Sequence, residues 1–189
     1  MRLLLILLGV VSLAACATTE DSVLVAYAAP PTSPTAGASQ VNVTVTAADA
    51  RTANRGRIST KLNGYGMEMA AIRSKEDVSD TVRKALESEL RARGYGLAGG
   101  GPRISAAVDT FYAQFSTGVL AGKAKGDVQL TVTVAGKTGA ERYRTVVKGS
   151  GIKTIQMASG SNAAVVISQA LADALSQLFS DPAFVRTLS

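Results

Sequence analysis

The chain has 189 residues, 47% of them hydrophobic and 18% charged, with a formal charge of +6, one cysteine, no histidine and no tryptophan. One cysteine without histidine excludes Cys/His zinc sites, a Ser-His-Asp triad, a Cys-His dyad and an intramolecular disulfide. The length suits one domain.

The first segment is a secretory signal. Arg2 gives a positive start, Leu3 to Val11 is an apolar run, and small residues follow up to Cys16. The run is too short to span a bilayer, which takes about 20 residues. The tetrad Leu13-Ala14-Ala15-Cys16 resembles the bacterial lipobox. That resemblance implies lipid transfer to the Cys16 thiol, cleavage after Ala15 and acylation of the new amino terminus, so residues 1–15 are the signal peptide. Several acyl chains make the anchoring stable, where one chain alone is marginal. The residue after the cysteine is Ala17 and not Asp; by resemblance to enterobacterial sorting rules this favours the outer membrane, facing the periplasm. An ordinary cleaved signal with a stray cysteine is the competing reading.

Residues 16–40 are expected to form the lipidated N-terminus and a flexible tether, because Pro30, Pro31 and Pro34 lie among Ala, Thr, Ser and Gly. Val23-Leu24-Val25-Ala26-Tyr27 interrupts it as a short strand or loose segment. The domain runs over 41–189. Val41, Val43 and Val45 alternate with polar residues, the period of a half-buried strand. A polar loop follows from Asp49 to Gly56. Asn63-Gly64 marks a turn, and Tyr65 to Ile72 is expected to be a strand at an edge. Ser74 or Asp77 then caps a helix with Val78, Val82, Leu86 and Leu90 on one stripe. Asp80/Lys84, Arg83/Glu87, Glu87/Arg91 and Glu89/Arg93 are placed as ion pairs on the other side, and Gly94 stops the helix in a left-handed conformation.

Three strands come next, over 103–116, 123–135 and 141–155. Ile104, Ala106 and Val108 share one parity and Phe111 and Phe115 the other, so a bulge or twist is expected near Thr110. A second helix begins at Ser159 or Ser161, carries Ala163, Ile167, Ala170, Leu171, Ala174 and Leu178 inward, and ends at Ser180-Asp181-Pro182. Pro182 starts one more short turn holding Phe184 and Leu188. The pattern predicts an α+β, two-layer sandwich, with two helices on one face of a mainly antiparallel sheet of four to five strands.

The lipobox at Cys16, Asp49-Ala50-Arg51-Thr52 after the first strand, Ser74 opening the helix, Ala92-Arg93-Gly94-Tyr95 closing it and Phe111-Tyr112-Ala113 in the next strand together resemble the YajG-like lipoproteins of Gram-negative bacteria. The resemblance covers nearly the whole chain. It implies an uncharacterised, periplasm-facing lipoprotein similar to small envelope lipoproteins that act in assembly or transport complexes. It brings no catalytic or ligand residues with it.

No pattern of catalysis emerges. Gly94-Tyr95-Gly96-Leu97-Ala98-Gly99 matches G-x-G-x-x-G by letter, but it follows a helix and leads into a strand, the reverse of a dinucleotide site. The acids Asp49, Asp109, Asp127 and Asp173 are scattered over different elements. No enzymatic activity, cofactor or metal is expected. Partner contact has two candidate places. Asp49 and Arg51 end the first strand, as a local ion pair or as part of a partner-binding loop. Arg142, Arg144 and Lys148, with Lys123 and Lys125, share the polar parity of their strands. They form a basic patch on the sheet face away from the helices, which is either a solvated face or a contact for anionic envelope components. The partners expected are the membrane, through the anchor on Cys16, and an anionic envelope surface or another envelope protein. Nucleic acid is excluded by the address. The function expected is a non-enzymatic lipoprotein that binds or helps assemble envelope components; the alternative is an auxiliary lipoprotein subunit of an envelope transport complex.

Overall fold

The longest strands come from the sequence with the cleanest alternation. A computed structural model describes residues 19–116, 118 and 121–188. The signal segment and Cys16 lie outside the described residues. Among these, the elements in chain order are β1 (Asp21–Val23), a 3-10 turn (Ala38–Gln40), β2 (Thr44–Asp49), β3 (Ser59–Leu62), β4 (Glu68–Ser74), α1 (Val78–Ala92), β5 (Arg103–Ser116), β6 (Gly122–Ala135), β7 (Glu141–Ile155), α2 (Gly160–Ser180) and α3 (Pro182–Thr187).

The strands form two mixed sheets, β2-β5-β6-β7 and β1-β4-β3, which corrects the expectation of one mainly antiparallel sheet. β5 is antiparallel to β6 and β6 to β7, as tight hairpins require. β2 is parallel to β5, from Thr44↔Arg103 to Asp49↔Val108. The reason lies in the connection. The β3–β4 hairpin and α1 stand between β2 and β5, and α1 returns the chain to the end where β2 began. The register of β5 with β6 slips between Val108 and Thr110, so the parity change in the sequence is a bulge at Asp109. Beyond it β5 leaves β2 and meets β3: Ala113 N donates to Ile58 O at 2.8 Å and Ser59 Oγ donates to Ala113 O at 2.8 Å. That contact joins the second sheet to the first. Within the second sheet β4 lies between β1 and β3 and is not an edge strand; β1 covers the side that the sequence leaves open.

α1 packs against β2 and β5, and α2 lies across β6 and β7. Val78, Val82, Leu86 and Leu90 are buried as the stripe predicts, and Gly94 has φ 89°. Ser159 caps α2 by accepting from Asn162 N, while Asp181 accepts from Ala183 N to start α3. α2 is long and apolar enough to cross a membrane by length and composition. Its buried side, from Ala163 to Phe179, instead closes the core over the sheet. The approach is very close. A Cβ added at Gly149 would stand 2.0 Å from Ala170 O, one at Gly151 2.2 Å from Val166 O and one at Gly126 2.3 Å from Val166 O. Glycine is required on β6 and β7 because the backbone of α2 occupies the space of a side chain.

The segment from Asp21 to Gln40 is packed on the domain and does not stand off as a tether. β1 runs parallel to β4, Val25 and Ala38 are buried, and Thr35 N donates to Arg93 O at 3.0 Å. Its few apolar residues fall where α1 and α2 leave a groove, and its prolines reduce the entropy lost on docking. Tyr27 Oη donates to Glu89 of α1, and Arg93 donates to the same carboxylate. Glu89 is therefore buried, not on the solvent side where the i,i+4 pattern placed it. Arg93 also lies 4.1 Å above the Phe179 ring of α2, so one carboxylate and one guanidinium tie the N-terminal segment and both long helices together.

Candidate functional site

Both long helices pack on the same side of the four-stranded sheet. Among the described residues its other face carries no helix or strand. Over β2, the first half of β5 and the second half of β6 the side chains there are small and hydroxylic, because the pleat sends Ile104, Ala106, Val108, Leu130, Val132 and Val134 to the core and leaves Ser105, Ala107, Thr131 and Thr133 outside. Where Thr46, Ala48, Ser105, Ala107, Thr131 and Thr133 lie side by side they floor a shallow trough of about 390 Å³, closed by Asp109 on one side and Arg144 on the other. Thr131 Oγ1 donates to Asp109 Oδ2 at 2.7 Å, and the hydroxyls of Thr46 and Ser105 are 3.0 Å apart. Asp109 reaches this face by the same parity as Ser105 and Ala107, and the bulge there switches the residues that follow, so that Phe111 turns to the core. A second depression of about 270 Å³ continues past Thr44, Arg103 and Ala135 to the turns Gly100-Gly101 and Gly136-Lys137. Asp109 is the one carboxylate lining either depression among the described residues, which leaves no acid pair there for hydrolytic chemistry. Among the described residues no group of three or more metal-ligating side chains forms.

The predicted basic residues are on this face, but the structure divides them. Arg142, Arg144 and Lys148 all project outward from β7 and are exposed. Arg144 faces Thr133 across the ladder and Lys148 faces Gln129. Arg142 packs over Gly136, so Arg103, Lys137, Arg142 and Arg144 gather around the trough end. Lys123 and Lys125 stand at the opposite end of the sheet, where Lys125 pairs with Asp127 at 2.8 Å. The Arg144 guanidinium is 3.5 Å from Glu141, an exposed pair of small worth. β7 is also the edge of the sheet, and its cations discourage strand addition. α2 adds to that protection: Asp173 accepts from Ser150 N at 3.0 Å and Gln177 donates to Lys148 O at 2.8 Å. The middle of the β7 edge is thereby closed, so the accessible surface is the face.

Asp49 and Arg51 form the local pair that the one-residue spacing allows. Arg51 Nε donates to Asp49 Oδ1 at 2.9 Å and Nη2 to Oδ2 at 2.8 Å. The remaining donors reach the carbonyls of Asn54, Arg55, Arg57 and, on β5, Phe111 at 3.0–3.4 Å. The guanidinium is 4% exposed. It is spent on holding the 50–57 loop against β5 at the junction of the two sheets, so this side chain is not presented on the surface. Arg51 holds the Asp49 carboxyl below the usual carboxylate range, against the opposing effect of burial. Asp181 is held low in the same way by the Tyr143 hydroxyl, while that hydroxyl is pushed up to about 12, first by burial and then by Asp181. Depressed carboxylates stabilise the fold above their unfolded value of about 4 and lose that contribution as pH falls below it. The unfolding midpoint is therefore expected to stay level from pH 7 to about 5 and to drop below about 4. Asp49→Asn should lower it at neutral pH and flatten the acid drop; an unchanged acid limb in thermal scans would remove Asp49 from this role.

Sequence reasoning missed the trough, because it is made by the absence of large side chains on three strands at once. The signal was present in Thr44, Thr46, Ser105, Thr131 and Thr133 at outward parity.

A small α+β domain with two helices against one side of a mixed sheet, and a hydroxylic face on the other, defines the class of molecule. A family described as uncharacterised lipoprotein matches residues 28–189, and the chain belongs to that family, the YajG family. Membership assigns it to the bacterial lipoproteins, membrane-anchored in the cell envelope. The family carries no enzymatic assignment. No curated protein matches the chain. Among solved structures, a crystal structure of a Xanthomonas campestris protein of the DUF330 family is similar over 89% of this chain and 94% of its own, with a TM-score of 0.56 and 11% identity. The two share a fold. A second crystal structure, of an uncharacterised protein, covers 82% of this chain and 92% of its own at 12% identity and a TM-score of 0.41.

Proposed function

We propose that this lipoprotein is a non-enzymatic binding protein of the periplasm, anchored through lipid on Cys16 in the outer membrane, that holds an anionic envelope component or the acidic surface of another envelope protein on the open face of its four-stranded sheet. The observation that carries the reading is the trough of Thr46, Ser105, Thr131 and Thr133 beside Arg103, Lys137, Arg142 and Arg144. Hydroxyls and guanidinium groups on a rigid sheet suit sugar hydroxyls, carboxylates and phosphates, and the preformed surface loses little entropy on binding.

The test is photocrosslinking in living cells from position Thr133, inside the trough, compared with Ser176 on the exposed side of α2. A crosslinked product at Thr133 alone, weakened at least about tenfold by Arg142→Glu with Arg144→Glu, supports the reading. Equal products at both positions would sink it. A stoichiometric complex with membrane transport proteins would shift the assignment to an auxiliary subunit of an envelope transport machine. Cys16→Ala should leave an uncleaved or soluble precursor, and normal membrane fractionation of that variant would end the anchor reading.

A further inference from the structure

The β3–β4 hairpin exposes an apolar tip. Tyr65 is 90% exposed, Met67 58% and Met69 40%. The tip is built to hold that shape. Asn63 Oδ1 accepts from both Tyr65 N and Met67 N at 3.0 Å, Asn63 N donates to Met67 O at 3.0 Å, and Gly66 takes φ 81°. A rigid turn that presents a tyrosine and two methionines to solvent has a surface to meet.

Chain direction says what that surface is. β1 is parallel to β4, with Asp21 opposite Ile72. The chain ahead of Asp21 therefore enters from the end where β4 begins, which is the hairpin end. Glu20 keeps this course by pairing with Arg73 at 2.9 Å. Cys16 stands five residues before Asp21 and Met67 five residues before Ile72. Five residues span at most about 17 Å, which bounds the distance from Asp21 to the lipid attachment point and is the same number of residues that separates the tip from Ile72.

Positive charge gathers at this end as well. β3 follows β5 in the same direction, since Arg51 draws together Arg57 and Phe111 while Ile58 and Ser59 meet Ala113. The tip thus lies at the end where β5 stops and β6 begins. Lys123 is there, opposite Thr154, and Lys153 follows on β7 opposite Ala124.

We propose that the hairpin tip Tyr65-Gly66-Met67-Glu68-Met69 is a membrane foot. It rests in the headgroup region of the bilayer that holds the lipid on Cys16, with Lys123 and Lys153 toward anionic headgroups. This rests on the anchor reading. The foot supplies a second contact, so the domain is oriented on the bilayer and its trough end, with Arg103 and Lys137, points away into the periplasm.

The absence of tryptophan makes the test direct. Lipoprotein carrying Tyr65→Trp is purified from host membranes and reconstituted in phosphatidylethanolamine–phosphatidylglycerol vesicles. A second protein carries Lys137→Trp in the opposite turn. The tryptophan at position 65 is expected to shift to the blue and to lose about half of its emission to brominated acyl chains, while that at 137 is unaffected. Met67→Ser with Met69→Ser should abolish the quenching without releasing the protein. Solvent-like, unquenched emission from position 65 in vesicle-bound protein overturns the foot and leaves the anchor standing. Quenching at both positions overturns the orientation. The mass of the N-terminal peptide from the same preparation reads lipid attachment by itself, so failure of the anchor is seen separately.

Discussion

Gly149→Ala is expected to lower the unfolding free energy by about 3 kcal/mol, at the upper end of the ordinary cost of overpacking. The new methyl group would lie 2.0 Å from Ala170 O and 2.4 Å from Ala174 N. Both are backbone atoms of a helix, so no rotamer change relieves the clash. α2 would have to lift from β7, and its neighbours Leu171, Leu175 and Leu178 are fully buried. Gly139→Ala provides the comparison. Nothing lies within 4 Å of its added carbon, although its φ of 84° carries its own strain. Urea unfolding of the two variants separates close packing from backbone conformation. If Gly149→Ala unfolds at the wild-type midpoint, the helix does not sit on the strand as described.

The second large effect is Arg51→Ala, with an expected loss of about 3 kcal/mol, the lower end for removing one partner from a buried pair, because the Asp49 side chain left behind is 23% exposed. The lost guanidinium satisfies the Asp49 carboxylate and the carbonyls of Asn54, Arg55, Arg57 and Phe111. Arg51→Lys should recover only a minor part, because one ammonium cannot fork to both carboxylate oxygens and the loop at once. Since the Phe111 contact stands where β3 departs from β5, hydrogen exchange should rise first at Ile58 and Ala113. A cost below about 1 kcal/mol would reduce the pair to an ordinary surface contact.

The strands over β5, β6 and β7 were legible because alternation persists for more than a dozen residues, and the Asp109 bulge was legible because the parity changes there. The start of the second helix at Ser159, one of two candidates, its end at Ser180-Asp181-Pro182 and the stop at Gly94 follow from residue chemistry that needs no tertiary partner. The division into two sheets was not legible. β3 is the segment Ser-Thr-Lys-Leu, whose buried polar residues conceal a strand, and Asp21 meets the buried Lys61 at 2.9 Å. That partner is 40 residues away in sequence, beyond any local pattern. The same reason hid Glu89, whose nearest cation suggested a surface pair while Tyr27 covered it from the N-terminal segment. Of the candidate site residues, parity placed Arg142, Arg144 and Lys148 on the outer face. It could not tell that Arg51 points into the loop, since i,i+2 spacing fixes the pair and not its exposure.

The short strand β1 has a mechanical meaning. Its pairs with Ile72, Arg73 and Ser74 lie across the line of any pull applied from the N-terminus through the hairpin end, as do Lys61–Asp21 and Arg73–Glu20. A tug in that direction loads these links together, in shear, where a pull at right angles would peel them one after another. Strain arriving from the N-terminal side is thus shared over the whole of β1 before it reaches Tyr27, Glu89 and the helices.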